Sequence, residues 1–76
     1  MEILRNELKK VSEIAPKGSH KTVSEKIGYS EQYLQQIREG KNALKDNVKN
    51  RALIQLCLNE YRKIIRREVD KLIKSL

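Results

Sequence analysis

Glu31, Gln32, Gln35, Gln36 and Glu39 fall on one side of a short stretch whose other side carries Leu34 and Ile37. Wound as a helix, this segment buries its two aliphatic side chains and turns three glutamines and two carboxylates outward. A glutamine amide offers a donor and an acceptor together, the pattern needed for bidentate pairing with an adenine edge, and an α-helix fits the major groove where that edge is displayed. Glu31 can accept from a cytosine amino group or, more simply, favour the positive end of the helix dipole. Glutamine is also a common helical surface residue, so its neighbours must decide what this face means.

Those neighbours build a hinge. Val23 and Ile27 are spaced as one apolar helical face, Gly28 can take the left-handed conformation that ends a helix, and Ser30 can cap the next one. Ser24 lies one turn before Gly28 and is small enough to let two crossing helices approach. Ser19 is the preferred cap of the first of these helices, with Thr22 and Glu25 forming a capping box one turn later as the rival start. The choice decides whether His20 lies on the helix. Tyr29 is expected to pack under the turn.

The stretch from Ser19 to Lys41 resembles the Xre/Cro-type, or lambda-repressor-like, helix-turn-helix DNA-binding family. The resemblance runs through Ser19-His20, Val23-Ser24, Ile27-Gly28-Tyr29-Ser30, Tyr33-Leu34, Ile37 and Gly40-Lys41, about a third of the chain. It implies an all-α fold, a compact lambda-repressor-like DNA-binding domain of four to five helices, to which the sequence adds a long C-terminal helical segment, and double-stranded DNA as the partner. It also implies roles. His20, where the family more often has glutamine, would hold phosphate; Gln32 and Gln36 would read bases, with Glu31 and Gln35 as further readers; Lys41 and Asn42 would touch the backbone. Tyr33 is a further candidate for a backbone contact.

Seventy-six residues allow one small domain, which depends on well-packed helices or a partner subunit for stability. The formal net charge of +7 favours polyanionic partners. It divides as +1 over residues 1–19, +2 over 20–45 and +4 over 46–76, so the glutamine-bearing helix is not the most basic segment. Cys57, the single cysteine, sits among Leu53, Ile54, Leu56 and Leu58 and reads as a small core residue. No metal set, phosphate-cradling glycine loop or pair of catalytic groups is visible, and enzymatic activity, a cofactor and a small-molecule ligand are not expected. With no signal-peptide or membrane-span pattern, a cytoplasmic location is the expectation.

The flanks complete the helical plan. Leu4, Leu8, Val11 and Ala15 recur at helical spacing from Glu2 onward, widened by Ile3 and Ile14, until Pro16 and Gly18 stop the helix. Asp46 or Asn47 can cap the last segment, which from Val48 to Leu76 holds neither Gly nor Pro; if it breaks, Asn59 is the expected place. Unbroken, residues 46–76 would span roughly 46 Å, against about 25 Å for a compact body made of the rest. Leu58, Tyr61, Ile65, Val69, Leu72 and Leu76 recur about every 3.6 residues, the period of a straight packing helix, and form the expected homodimer face.

Two function classes follow. One is a sequence-specific DNA-binding regulator, dimeric and repressor-like; the resemblance implies service to a phage, a mobile element or a toxin–antitoxin module, among which the residues do not choose. The other is a helical protein-interaction module, antitoxin-like, that uses the apolar C-terminal face. A basic tail lying on a membrane surface is a weaker third reading.

Overall fold

Glycine and proline divide the chain where its helices end. In the computed structural model, which describes residues 1–41 and 45–76, the elements are α1 (Glu2–Ile14), α2 (Ser19–Ile27), α3 (Glu31–Arg38) and α4 (Val48–Lys74). No strand occurs among the described residues. Ala15, which precedes Pro16, is extended at φ −69° and ψ 147°, because the proline ring disfavours helical backbone in the residue before it. That stops α1.

The start of α2 differs from the expectation. Gly18, at φ +89°, occupies the capping position, and Ser19 is the first helical residue, its hydroxyl donating to the Pro16 carbonyl at 2.5 Å. Thr22 is inside the helix, bonded back to the Gly18 carbonyl at 3.3 Å. His20 is therefore a helical residue. The following turn forms as the sequence predicts, with Gly28 at φ +86° and its N–H donating to the Ser24 carbonyl. Ser24 Oγ donates to the Tyr29 carbonyl at 2.5 Å, so the small residue at the crossing also ties down the turn. Ser30 Oγ accepts from the Tyr33 N–H at 3.1 Å and caps α3, a contact type worth about 1 kcal/mol. Asn47 caps α4 through the Asn50 N–H at 2.8 Å, while Asp46 instead pairs with Arg51 at 2.6 Å.

The core draws on every helix. Leu8 of α1, Val23 of α2, Leu34 and Ile37 of α3, and Ile54, Cys57, Leu58 and Tyr61 of α4 are buried together. Leu4, Val11, Ala15, Ile27, Tyr33, Leu53 and Ile64 pack around them. Ile3 and Ile14 do not widen the α1 stripe, since both are exposed. They flank the helix rather than facing α4.

α4 is one helix of 27 residues that runs through Asn59 without a break. The Asn59 side chain accepts from Gln55 Nε2 at 3.1 Å on the outer surface, one turn away, and leaves the helical backbone undisturbed. The first half of α4 is the central support of α1 and α2, and from Arg66 onward every residue is exposed. The molecule accordingly measures 45 × 22 × 18 Å, its long axis set by the projecting end of α4.

Candidate nucleic-acid interface

α3 is held from below by Leu34 and Ile37, 3% and 1% exposed, which fixes its opposite side toward solvent. Glu31, Gln32 and Gln35 are exposed, and Gln36 is half-buried at the edge of the helix. These four side chains do not present themselves equally. Gln35 Nε2 donates to Glu39 Oε1 at 3.2 Å, which turns its amide toward the C-terminal end of the helix. The Gln32 side chain makes no hydrogen bond among the described residues; it is exposed and stands in the first turn beside Glu31. Glu31 occupies the first helical position, where a carboxylate complements the helix dipole.

Lys41, just beyond α3, is exposed and bonded to Glu39 at 3.0 Å. Lys41 and Gln35 together hold the Glu39 carboxyl below its ordinary range. The residue that follows, Asn42, lies outside the described residues. Tyr33 is half-buried, its ring packed on the core and stacked on Tyr29 with centroids 5.1 Å apart and planes 19° apart. Tyr29, expected beneath the turn, is 41% exposed and lies against Tyr33 instead, because Ile27 already fills the inward position. The two rings wall a shallow groove whose other side is Leu53 and Leu56 of α4.

His20 takes a place the sequence did not reveal. Although exposed as a residue, its Nδ1 lies 2.7 Å from the hydroxyl of Tyr61, with the two rings edge to face at 5.8 Å. Arg38 Nη1 donates to the same hydroxyl at 3.2 Å. Burial and the Arg38 guanidinium hold the imidazole below its ordinary range, opposed by Glu31. Burial pushes the Tyr61 phenol up. A buried tyrosine hydroxyl requires a partner, and that was the signal available in the sequence; the partners lie 41 and 23 residues away, and no local spacing points to them.

The expected dimer face divides. Leu58 and Tyr61, 0% and 1% exposed, belong to the core of their own domain and are not available to a second chain. The same periodicity that aligns them with Ile65 also aligns them with α1 and α2, against which the first half of α4 is packed. Ile65 is half-buried, whereas Val69, Leu72 and Leu76 are exposed, joined by Ile73, which lies off the expected row. Cys57 is buried, and its thiol is pushed up to about 11, as suits an inert core residue. No group of three or more possible metal ligands occurs among the described residues, and no helix there is long and apolar enough to cross a membrane.

Comparisons with protein-family models, with curated proteins and with solved structures find no match to this chain.

Proposed function

We propose that this chain is a sequence-specific double-stranded DNA-binding regulator of the Xre/Cro type, a small repressor-like protein of a phage or mobile element that acts by occupying an operator. The observation that carries the reading is the disposition of α3, anchored by Leu34 and Ile37 beneath and presenting Gln32 beside Glu31 at its exposed, capped end. A rigid helix end with an exposed amide is suited to the floor of a major groove. Gln36 reads from the half-buried edge, and Gln35 joins it once Glu39 releases its amide. His20, Tyr33, Lys41 and Asn42 are the backbone contacts of this reading, with Lys41 acting as the point charge.

Dimerisation belongs to the same proposal, through the projecting end of α4. With Leu58 and Tyr61 committed to the core, the face reduces to Ile65, Val69, Leu72 and Leu76, with Ile73 beside them. So few apolar side chains give a weak association that the operator strengthens by holding two copies side by side. That exposed row also favours the second reading, an interaction module that offers α4 to another protein.

Selection of bound duplexes from a random pool, read by sequencing, tests the proposal. Enrichment of one motif with inverted-repeat symmetry is the expected result. Equal recovery of all sequences at moderate salt, or no recovery, contradicts it and leaves the interaction module.

A further inference from the structure

The Tyr61 hydroxyl is flanked by two nitrogens of unlike chemistry. Arg38 Nη1, 3.2 Å away, belongs to a group that has donors only, so the Tyr61 oxygen accepts there. The hydroxyl keeps its own hydrogen, and the polar atom 2.7 Å away on its other side is His20 Nδ1. Accepting from Arg38 does not by itself settle the other side, because the oxygen has a second lone pair; the hydroxyl hydrogen does, since in this buried site it has no other acceptor among the described residues and goes to Nδ1. Nδ1 is then the acceptor. A neutral imidazole carries one N–H, so the proton sits on Nε2, which makes no hydrogen bond among the described residues.

We propose that Tyr61 and Arg38 are positioning residues that hold His20 as the Nε2–H tautomer and fix its ring edge to face with the phenol, so that one neutral N–H donor is presented to a DNA phosphate. The inference rests on the DNA-binding reading for its phosphate and on the intramolecular geometry for its tautomer. It reassigns Tyr61 from the surface of a dimer to the support of the DNA contact.

The charged surroundings agree with a neutral ring. Lys9 and Glu13 of α1 and Arg38 and Glu39 of α3 line the same small cavity as His20, with Glu31 also within electrostatic reach and Tyr61 beneath. Burial, together with Arg38, which shares the Tyr61 hydroxyl, outweighs Glu31 in holding the imidazole uncharged. A neutral donor has a distinctive effect on binding. It adds affinity without releasing a counterion, so losing it leaves the salt dependence unchanged, whereas losing Lys41 lowers the salt slope by about one. Acidification reverses this: a protonated His20 can no longer accept from Tyr61, and it adds one charge to the interface.

The test has two arms. In the free protein, the imidazole nitrogen shifts of His20 report its tautomer. The expected result is a protonated Nε2 and a bare Nδ1 in the parent and a mixture in Tyr61→Phe, which keeps the ring and loses the hydroxyl. Arg38→Met, at a half-buried site, should give a similar mixture by breaking the other end, and serves if Tyr61→Phe does not fold. An unmixed tautomer in both variants overturns the relay. In duplex binding, Tyr61→Phe should weaken every sequence by about three- to tenfold with an unchanged salt slope, and should have no further effect in a His20→Ala background. An equal loss in that background makes Tyr61 a structural support only and overturns the positioning role. A parent with the expected tautomer that binds no duplex overturns the phosphate contact together with the function it depends on, while the intramolecular relay stands.

Discussion

Glu39 restrains two of the residues assigned to DNA, accepting from the Gln35 amide at 3.2 Å and pairing with Lys41 at 3.0 Å. Glu39→Gln removes a negative charge from the proposed phosphate side and releases Lys41. Affinity for all duplexes should rise and the salt dependence steepen, as read by titrations at several salt concentrations; weaker binding would place Glu39 among the contacts that help. Cys57 gives a second test, on stability. Its folded-state pKa is raised from 9.0 to about 11, so its contribution is fully present below pH 9 and is lost as pH rises through about 11. The loss approaches roughly 3 kcal/mol at its limit. Melting followed from pH 8 to 11 should show it, and Cys57→Ala should flatten most of the fall between pH 9 and 10, where the contribution of Tyr61, lost chiefly as pH rises past the ordinary tyrosine value of 10.0, is still small. At this scale the sequence was legible where a residue acts through its own helix, as with Ser30 capping α3 and Leu34 turning inward. It was opaque where partners come from other elements. His20 and Tyr61 meet only because α2 is packed on α4, and the row containing Tyr61 reads as uniformly apolar until its hydroxyl is considered.

The turn between α2 and α3 depends on one backbone angle. Gly28 sits at φ +86°, yet a Cβ built there meets nothing within 4 Å. Substitution therefore costs conformation and not space. Gly28→Ala should lower stability by roughly 1–2 kcal/mol, visible as a lower melting temperature, and Gly28→Val by more because a β-branched side chain fits the left-handed region worse. An unchanged melting temperature for Gly28→Ala would mean that the turn has a different geometry in solution. The helix boundaries were readable because Pro16, Gly28 and Ser30 each act locally. Asn59 misled for the same reason. Its modest helix propensity is overridden by Leu58 and Tyr61 packed on either side of it and by the bond from Gln55.

The whole molecule is a compact body with a helical arm, and the arm leaves room for a partner. Val69 and Leu72 are 46% and 60% exposed, so replacing both with Glu should leave the monomer's melting unchanged while placing charges in the proposed contact. Sedimentation across protein concentrations should then show association of the parent, particularly on its operator, and a monomeric variant with residual half-site binding. A parent that stays monomeric on its operator would remove the arm from the reading mechanism. Two copies joined there would set their α3 helices in major grooves about 34 Å apart, so the site should be an inverted repeat. The reach of the arm was legible from the length of its glycine-free, proline-free stretch; how much of its apolar row the body would use was not, because both uses share one period. The central claim is that α3 reads bases, and selection of bound duplexes by the parent and by Gln32→Ala, in parallel, tests it most directly. The expected result is one enriched motif for the parent and, for Gln32→Ala, the same motif with preference relaxed at one or two positions, a loss of roughly 1–3 kcal/mol of discrimination at each. An identical motif from both proteins, at every position and with equal preference, would contradict it.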